Sequence, residues 1–124
     1  MLDYQTSNLT IQVVSPSGQN YELVEFSGDL DKAGLEKVKT QIENLIVNLS
    51  QTDLVFDLSK LNFINSESIG FFMTIHSHLM KLNKNLVLVG AKANVKDVLS
   101  VIGIFQIMSY YDSLSSFLEN SKKS

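Results

Sequence analysis

Two hydroxyls, Ser66 and Ser68, flank the carboxylate of Glu67 in the run Asn65-Ser66-Glu67-Ser68-Ile69-Gly70, which joins a strand-like segment to a helical one. A short polar side chain at such a junction accepts hydrogen bonds from the free N–H groups of the helix start. Glu67 in the first turn faces the positive end of the helix dipole. Read from its chemistry alone, Ser66 is therefore a helix cap. Other reactive groups are sparser. Asp29, Asp31 and Asp57 offer carboxylates for acid–base work, but no nucleophile stands with a base, and Asp31 equally well caps the helix that follows it. His76 and His78 lie two apart on a helix, face different directions and cannot clamp one metal ion. Gly28 and Gly90 are isolated, and no phosphate-cradling glycine motif is present. No catalytic residue, metal site or cofactor is expected, and the chain does not read as an enzyme.

The elements that must position these residues follow from hydrophobic periodicity. Residues 9–14, LTIQVV, alternate with Leu9, Ile11 and Val13 on one face, the period of a half-buried strand. The SPSGQN that follows is turn chemistry, so the segment 21–26, YELVEF, returns as the second strand of a hairpin, ended by Gly28-Asp29-Leu30-Asp31. Over 32–49, Leu35, Val38, Ile42, Leu45, Ile46 and Leu49 make the stripe of an amphipathic helix. LVFDL (54–58) is a continuous apolar run suited to an interior parallel strand. A loop over 59–66 leads to a helix at about 66–82, a strand over 85–90 and a helix over 93–102, with Gly103 in the place of a left-handed C-terminal residue. IFQIMSYY supplies a last strand and Leu114, Phe117 and Leu118 a last helix. The order β-β-α-β-α-β-α-β-α predicts a mixed α/β sheet, with parallel strands joined by right-handed crossovers and the N-terminal hairpin as an antiparallel edge.

The helix after Ser66 is richer in apolar groups than one buried stripe requires. Ile69, Phe72, Ile75, Leu79 and Leu82 complete the stripe, which leaves Phe71 and Met73 to point elsewhere, either into the flanks of the core or outward. Aromatic and Met side chains exposed beside a helix start are suited to docking a partner. Gly70 costs about 1 kcal/mol in a helix interior relative to alanine, which predicts a close approach to the backbone at that position.

Composition narrows the class. With 44% hydrophobic and 19% charged residues, 124 residues suit one domain over 1–124, its core at about 9–120 with short flexible ends that include Lys122 and Lys123. The absence of cysteine excludes disulfides. A net charge of −3 with scattered lysines argues against a nucleic-acid binder, which needs a basic face. No apolar run reaches the ~20 residues of a membrane span, and MLDYQTSNLT is not a signal peptide. A cytoplasmic protein without membrane insertion is expected, so the sequons at Asn8 and Asn48 carry no meaning.

The residues 58–66, LSKLNFINS, continued by Glu67-Ser68-Ile69-Gly70, resemble the signature of STAS-domain anti-sigma factor antagonists, which runs Asp-Leu-Ser, an apolar pair, Asp-Ser-Ser/Thr-Gly and Leu-Gly. Gly28-Asp29-Leu30-Asp31 resembles the family's Gly-Glu-Leu-Asp, and Val98-Leu99-Ser100 through Gly103-Ile104-Phe105 its later helix and turn. The likeness spans about residues 9–120. It implies phosphorylation of the matching serine, Ser66, by an anti-sigma factor with serine-kinase activity. The unphosphorylated antagonist then holds that anti-sigma factor and frees a sigma factor, phosphorylation releases it, and a metal-dependent serine phosphatase of the PP2C-like kind resets it. It also implies a docking surface of Asp31, Asn65, Ser66, Glu67, Ser68, Ile69, Gly70, Phe71 and Met73. Asn65 replaces the family's Asp, Glu67 its Ser/Thr and Ser68 its Gly, so the acidic group has moved across Ser66, and Ser68 becomes an alternative acceptor. The same departures suit a second reading: a non-phosphorylated STAS scaffold subunit, such as one that steadies the ATPase of a lipid transporter.

Overall fold

Alternation and turn chemistry build the first hairpin. In the computed structural model, which describes residues 7–122, β1 (Thr10–Val14) pairs antiparallel with β2 (Tyr21–Leu30). Gly18, at φ +74°, closes the turn. The chain continues through α1 (Lys32–Val47), β3 (Asp53–Ile64), α2 (Ser66–Lys81), β4 (Asn85–Val89), α3 (Ala93–Ile102), a 3₁₀ turn over Ile104–Gln106, β5 (Ser109–Tyr111) and α4 (Leu114–Lys122). The five strands lie side by side in the order β1-β2-β3-β4-β5, and every pair after the hairpin is parallel. This is the predicted mixed α/β sheet with an antiparallel edge.

Period-two alternation divides the sheet's two faces. Val24, Phe26, Leu54, Phe56, Leu58, Leu86 and Leu88 meet α1, α2 and α3 in the main core. Phe26, Phe56 and Phe72 pack their rings at centroid distances of 4.9–5.9 Å in that layer. Leu23, Val55, Val87 and Val89 face the other way, against Phe117 of α4. The central strands read as continuous apolar runs because both of their faces are covered. At the far edge the ion pair between Lys96 and Asp112, 3.0 Å long, joins α3 to the segment after β5, and the Asp112 carboxylate holds the ammonium above its usual range.

Four sequence expectations are corrected. β2 runs on to Leu30, and β3 runs through residues 59–64, where the sequence predicts a loop. Pairing persists there as Ser27↔Lys60, Gly28↔Leu61, Asp29↔Phe63 and Leu30↔Ile64, with register shifts on either side of Gly28. Those bulges break the two-residue period, so the extension is hidden from a pattern search. Gly28 sits at φ +108°, and a Cβ there would come within 2.3 Å of the Asn8 carbonyl oxygen. The last strand is shortened, because Gly103 at φ +90° turns the chain into the 3₁₀ segment and only Ser109–Tyr111 reach β4. The expected face of β1 is kept: Ile11 and Val13 both lie on the side of the main core, with Val13 37% exposed because β1 is an edge strand. Finally, Lys122 closes α4 instead of belonging to a tail; the rest of the expected flexible ends, with Lys123, lies outside the described residues.

Candidate functional site

β2 and β3 end level, with Leu30 opposite Ile64, and each strand gives way to a helix after one more residue. Those two residues are Asp31 and Asn65, and they do the same work. Asp31 Oδ1 accepts the N–H of Gly34 at 2.8 Å, and Asn65 Oδ1 accepts that of Ser68 at 2.8 Å. Each satisfies one of the free donors of its helix. A pair of neighbouring helix N-termini results, which places Asp31 beside the start of α2. The corner is tied across: the Leu30 carbonyl accepts the backbone N–H of Asn65 at 3.0 Å and the hydroxyl of Ser68 at 3.2 Å.

Ser66 is the first residue inside α2, not its cap. With the cap supplied by Asn65, the Ser66 side chain is left exposed and its hydroxyl has no hydrogen-bond partner among the described residues. Glu67, next to it, is exposed as well. The Asn65 carbonyl receives the N–H of Ile69 and its side chain that of Ser68, so the N–H groups of Ser66 and Glu67 are the donors still open to an incoming anion.

The remaining predicted residues separate into surface and interior. Ser68 is fully buried and spent on Leu30, which removes it as an alternative phosphate acceptor: a kinase cannot reach that hydroxyl without unseating the first turn of α2. Ile69 belongs to the core. Phe71 is also buried, turned toward α1 with the Lys39 ammonium 5.8 Å from its ring centroid. It lines a shallow cavity of about 240 Å³ between α1 and α2. Of the two surplus side chains only Met73 faces outward, at 37% exposure. The close approach predicted at Gly70 does not come from the described residues, since a Cβ there would meet nothing of theirs within 4 Å. Surface residues of the site are thus Ser66, Glu67, Gly70 and Met73, beside Asp31 and the half-buried Asn65.

Two functional contributors escaped sequence reasoning. The Leu30 carbonyl has no side-chain signature. Gly34 did carry a signal, a glycine three residues after an Asp: a Cβ there would lie 2.2 Å from the Asp29 carbonyl oxygen, so glycine lets α1 start hard against the end of β2. The candidate acid–base carboxylates do not converge. Asp29 accepts the Asn8 amide at 3.0 Å, Asp31 caps α1, and Asp57 accepts the N–H of Ser59 at 2.9 Å. No group of three or more potential ligands could hold a metal among the described residues, nor is any helix there long and apolar enough to cross a membrane.

Comparison with known proteins gives the family and the fold. The STAS domain model matches residues 13–117. The chain is similar to an anti-sigma F factor antagonist of Paenibacillus polymyxa, at 22% identity over 105 residues that cover 85% of this chain and 90% of that protein. In fold it is similar to the crystal structure of an anti-sigma factor antagonist from Mycobacterium paratuberculosis, with a TM-score of 0.80, 18% identity and 97% of each chain covered. It is also similar to the Bacillus cell fate determinant SpoIIAA in its phosphorylated form, with a TM-score of 0.67, 15% identity, and 90% and 99% of the two chains covered.

Proposed function

The chain belongs to the STAS domain family, and on that premise we propose that it is an anti-sigma factor antagonist switched by phosphorylation of Ser66. The observation that carries the reading is the placement of Ser66: an exposed, unbonded hydroxyl on the first residue of α2, beside two open backbone donors. In this reading the unphosphorylated protein acts in the cytoplasm, holds an anti-sigma factor with serine-kinase activity and frees a sigma factor. The kinase then phosphorylates Ser66 and is released, and a PP2C-like serine phosphatase resets the cycle. The docking surface is the corner formed by the exposed Ser66, Glu67, Gly70 and Met73 with the half-buried Asp31 and Asn65, supported from beneath by Ser68, Ile69 and Phe71.

The physics of release is electrostatic. A phosphate adds about −1.5 to −2 charges near neutral pH. On the free protein that charge sits at a helix N-terminus, where the open N–H groups of Ser66 and Glu67 favour it, so the fold has no reason to change. A partner packed over Ser66 has to bury the same charge next to the Glu67 carboxylate. An unpaired buried charge costs about 3–5 kcal/mol, or about a hundred- to several-thousand-fold in affinity.

The test is incubation with an anti-sigma factor kinase, ATP and magnesium, followed by mass mapping of the modified residue. One phosphate on the Ser66 peptide is expected. No phosphate there, together with a stable complex with a lipid-transport ATPase, would establish the scaffold alternative in its place.

A further inference from the structure

Among the described residues β1 is the outermost strand on its side of the sheet, paired with β2 and with no strand beyond it. Edge strands carry a row of unpaired N–H and C=O groups, and proteins ordinarily blunt them with lysine, proline or a bulge. β1 has none of these. Its sequence, Thr10-Ile11-Gln12-Val13-Val14, contains no charge, proline or glycine, and four of its five residues are β-branched. The register against β2 is unbroken from Thr10↔Ser27 to Val14↔Leu23. Thr10, Gln12 and Val13 are exposed.

We propose that β1 pairs antiparallel with β1 of a second copy of the chain, about a two-fold axis at Gln12, so that one sheet runs through both molecules. The edge is self-complementary in that register. Gln12 lies opposite Gln12, and Ile11 of each copy lies opposite Val13 of the other. Both of those β-branched side chains are on the face that bears α1, where Val13 is left 37% exposed in the single chain. On the other face Thr10 meets Val14, and the two Gln12 amides can bond to each other. Directly opposed residues of this kind are the unit that stabilises an antiparallel pair, and an isologous contact closes on itself as a dimer.

Self-complementarity argues for a second copy over an unrelated strand: in this register every β1 side chain meets one from β1 itself, with no charge on either side. The chain carries a net charge of −3, so a copy is repelled by most of its surface. The seam itself adds no like-charge contact, because no residue of β1 is charged and the nearest ladder charge, Glu25, stands on β2 behind Gln12. The contact is only five residues long, which makes the dimer weak and concentration-dependent. Ser66 follows β3, and β2 separates it from β1. The seam therefore leaves the Ser66 corner open, and the dimer stands or falls independently of the phosphorylation switch.

Sedimentation equilibrium of the full chain, from micromolar to millimolar concentration, reads the proposal. The expected mass rises from 13.9 kDa toward twice that value. Gln12→Lys and Gln12→Glu each place like charges opposite each other and weaken self-association about fivefold. An equimolar mixture of the two variants regains it, because the axis brings the introduced lysine of one copy against the introduced glutamate of the other; that recovery also shows that both variants are folded. In a chain without native cysteine, Gln12→Cys oxidises to a disulfide-linked dimer and Ser17→Cys does not. A mass that stays at 13.9 kDa, a Gln12→Lys variant that dimerises like the parent, or a mixture that fails to recover overturns the proposal.

Discussion

The Ser68 hydroxyl donates to the Leu30 carbonyl across 3.2 Å, in the fully buried corner where the end of β2 meets the start of α2. Together with the Asn65 N–H on the same carbonyl, that bond ties the surface of the site to the sheet. Two strands deliver Asp31 and Asn65 side by side, and Ser68 then locks the first turn of α2 in place under Ser66. A residue that neither faces a partner nor accepts phosphate thus sets the orientation of one that is exposed.

Ser68→Ala removes this bond but leaves Leu30 its second donor, the Asn65 N–H. The expected cost is about 1 kcal/mol, the usual net value of one hydrogen bond. Ser68→Gly adds about 1 kcal/mol for glycine in a helix. Urea unfolding of the two variants measures both numbers. Equal stability of Ser68→Ala and the parent would mean that the bond contributes nothing to the corner.

Asn65 rather than Ser66 caps α2, so capping mutants separate the two residues. Asn65→Ala is expected to lose about 1 kcal/mol, with a range of about 0.5–2, whereas Ser66→Ala changes stability by no more than about 0.5 kcal/mol because its hydroxyl is exposed and unbonded. Asn65→Asp keeps the cap and adds a charge at the positive end of the dipole, worth about 0.3–1 kcal/mol at low salt. That gain disappears as acid protonates the new carboxylate. The same unfolding assay, repeated at neutral and acidic pH, checks all three.

Gly70 offers a sharper contrast. Its Cβ position is open space on the exposed side of α2, so Gly70→Ala should stabilise the isolated protein by about 1 kcal/mol. If Gly70 is retained because a partner's backbone comes close to it, the same substitution weakens the complex with an anti-sigma factor. Higher urea stability with unchanged partner affinity would leave Gly70 outside the docking surface.

What could be read in advance follows how local the signal is. Helix α3 and the interior strand 85–89 were legible because their apolar positions and bounding residues, Gly90 and Gly103, are contiguous in sequence. The second half of β3 was not, since it exists through pairing with β2 across two bulges. The same limit applied to the site. Asn65, Ser66 and Glu67 were legible as a helix start, but which of two adjacent short polar residues caps it depends on where β3 ends. Ser68 looked like a second exposed hydroxyl, and only its distance to Leu30, 38 residues earlier, shows that it is interior. Phe71 looked surplus until the packing of α1 gave it a place beside Lys39.

Ser66→Asp and Ser66→Ala carry the switch itself. Both are expected to fold, since the side chain is exposed and aspartate at the first position of α2 is favoured by the dipole. Against an anti-sigma factor they should diverge. Ser66→Ala is expected to bind like the unmodified protein and to hold the partner permanently, having no hydroxyl to phosphorylate. Ser66→Asp brings one charge where phosphate brings nearly two, and it places that charge beside Glu67, so a partial loss of about ten- to a hundredfold in affinity is expected. Adding Glu67→Gln to Ser66→Asp removes the neighbouring carboxylate and should recover part of that loss. Titration calorimetry of the three variants at two salt concentrations reads the result, with the deficit shrinking as salt screens the charges. Equal affinities for Ser66→Asp and Ser66→Ala would remove the electrostatic basis of release, whatever mass mapping shows at Ser66.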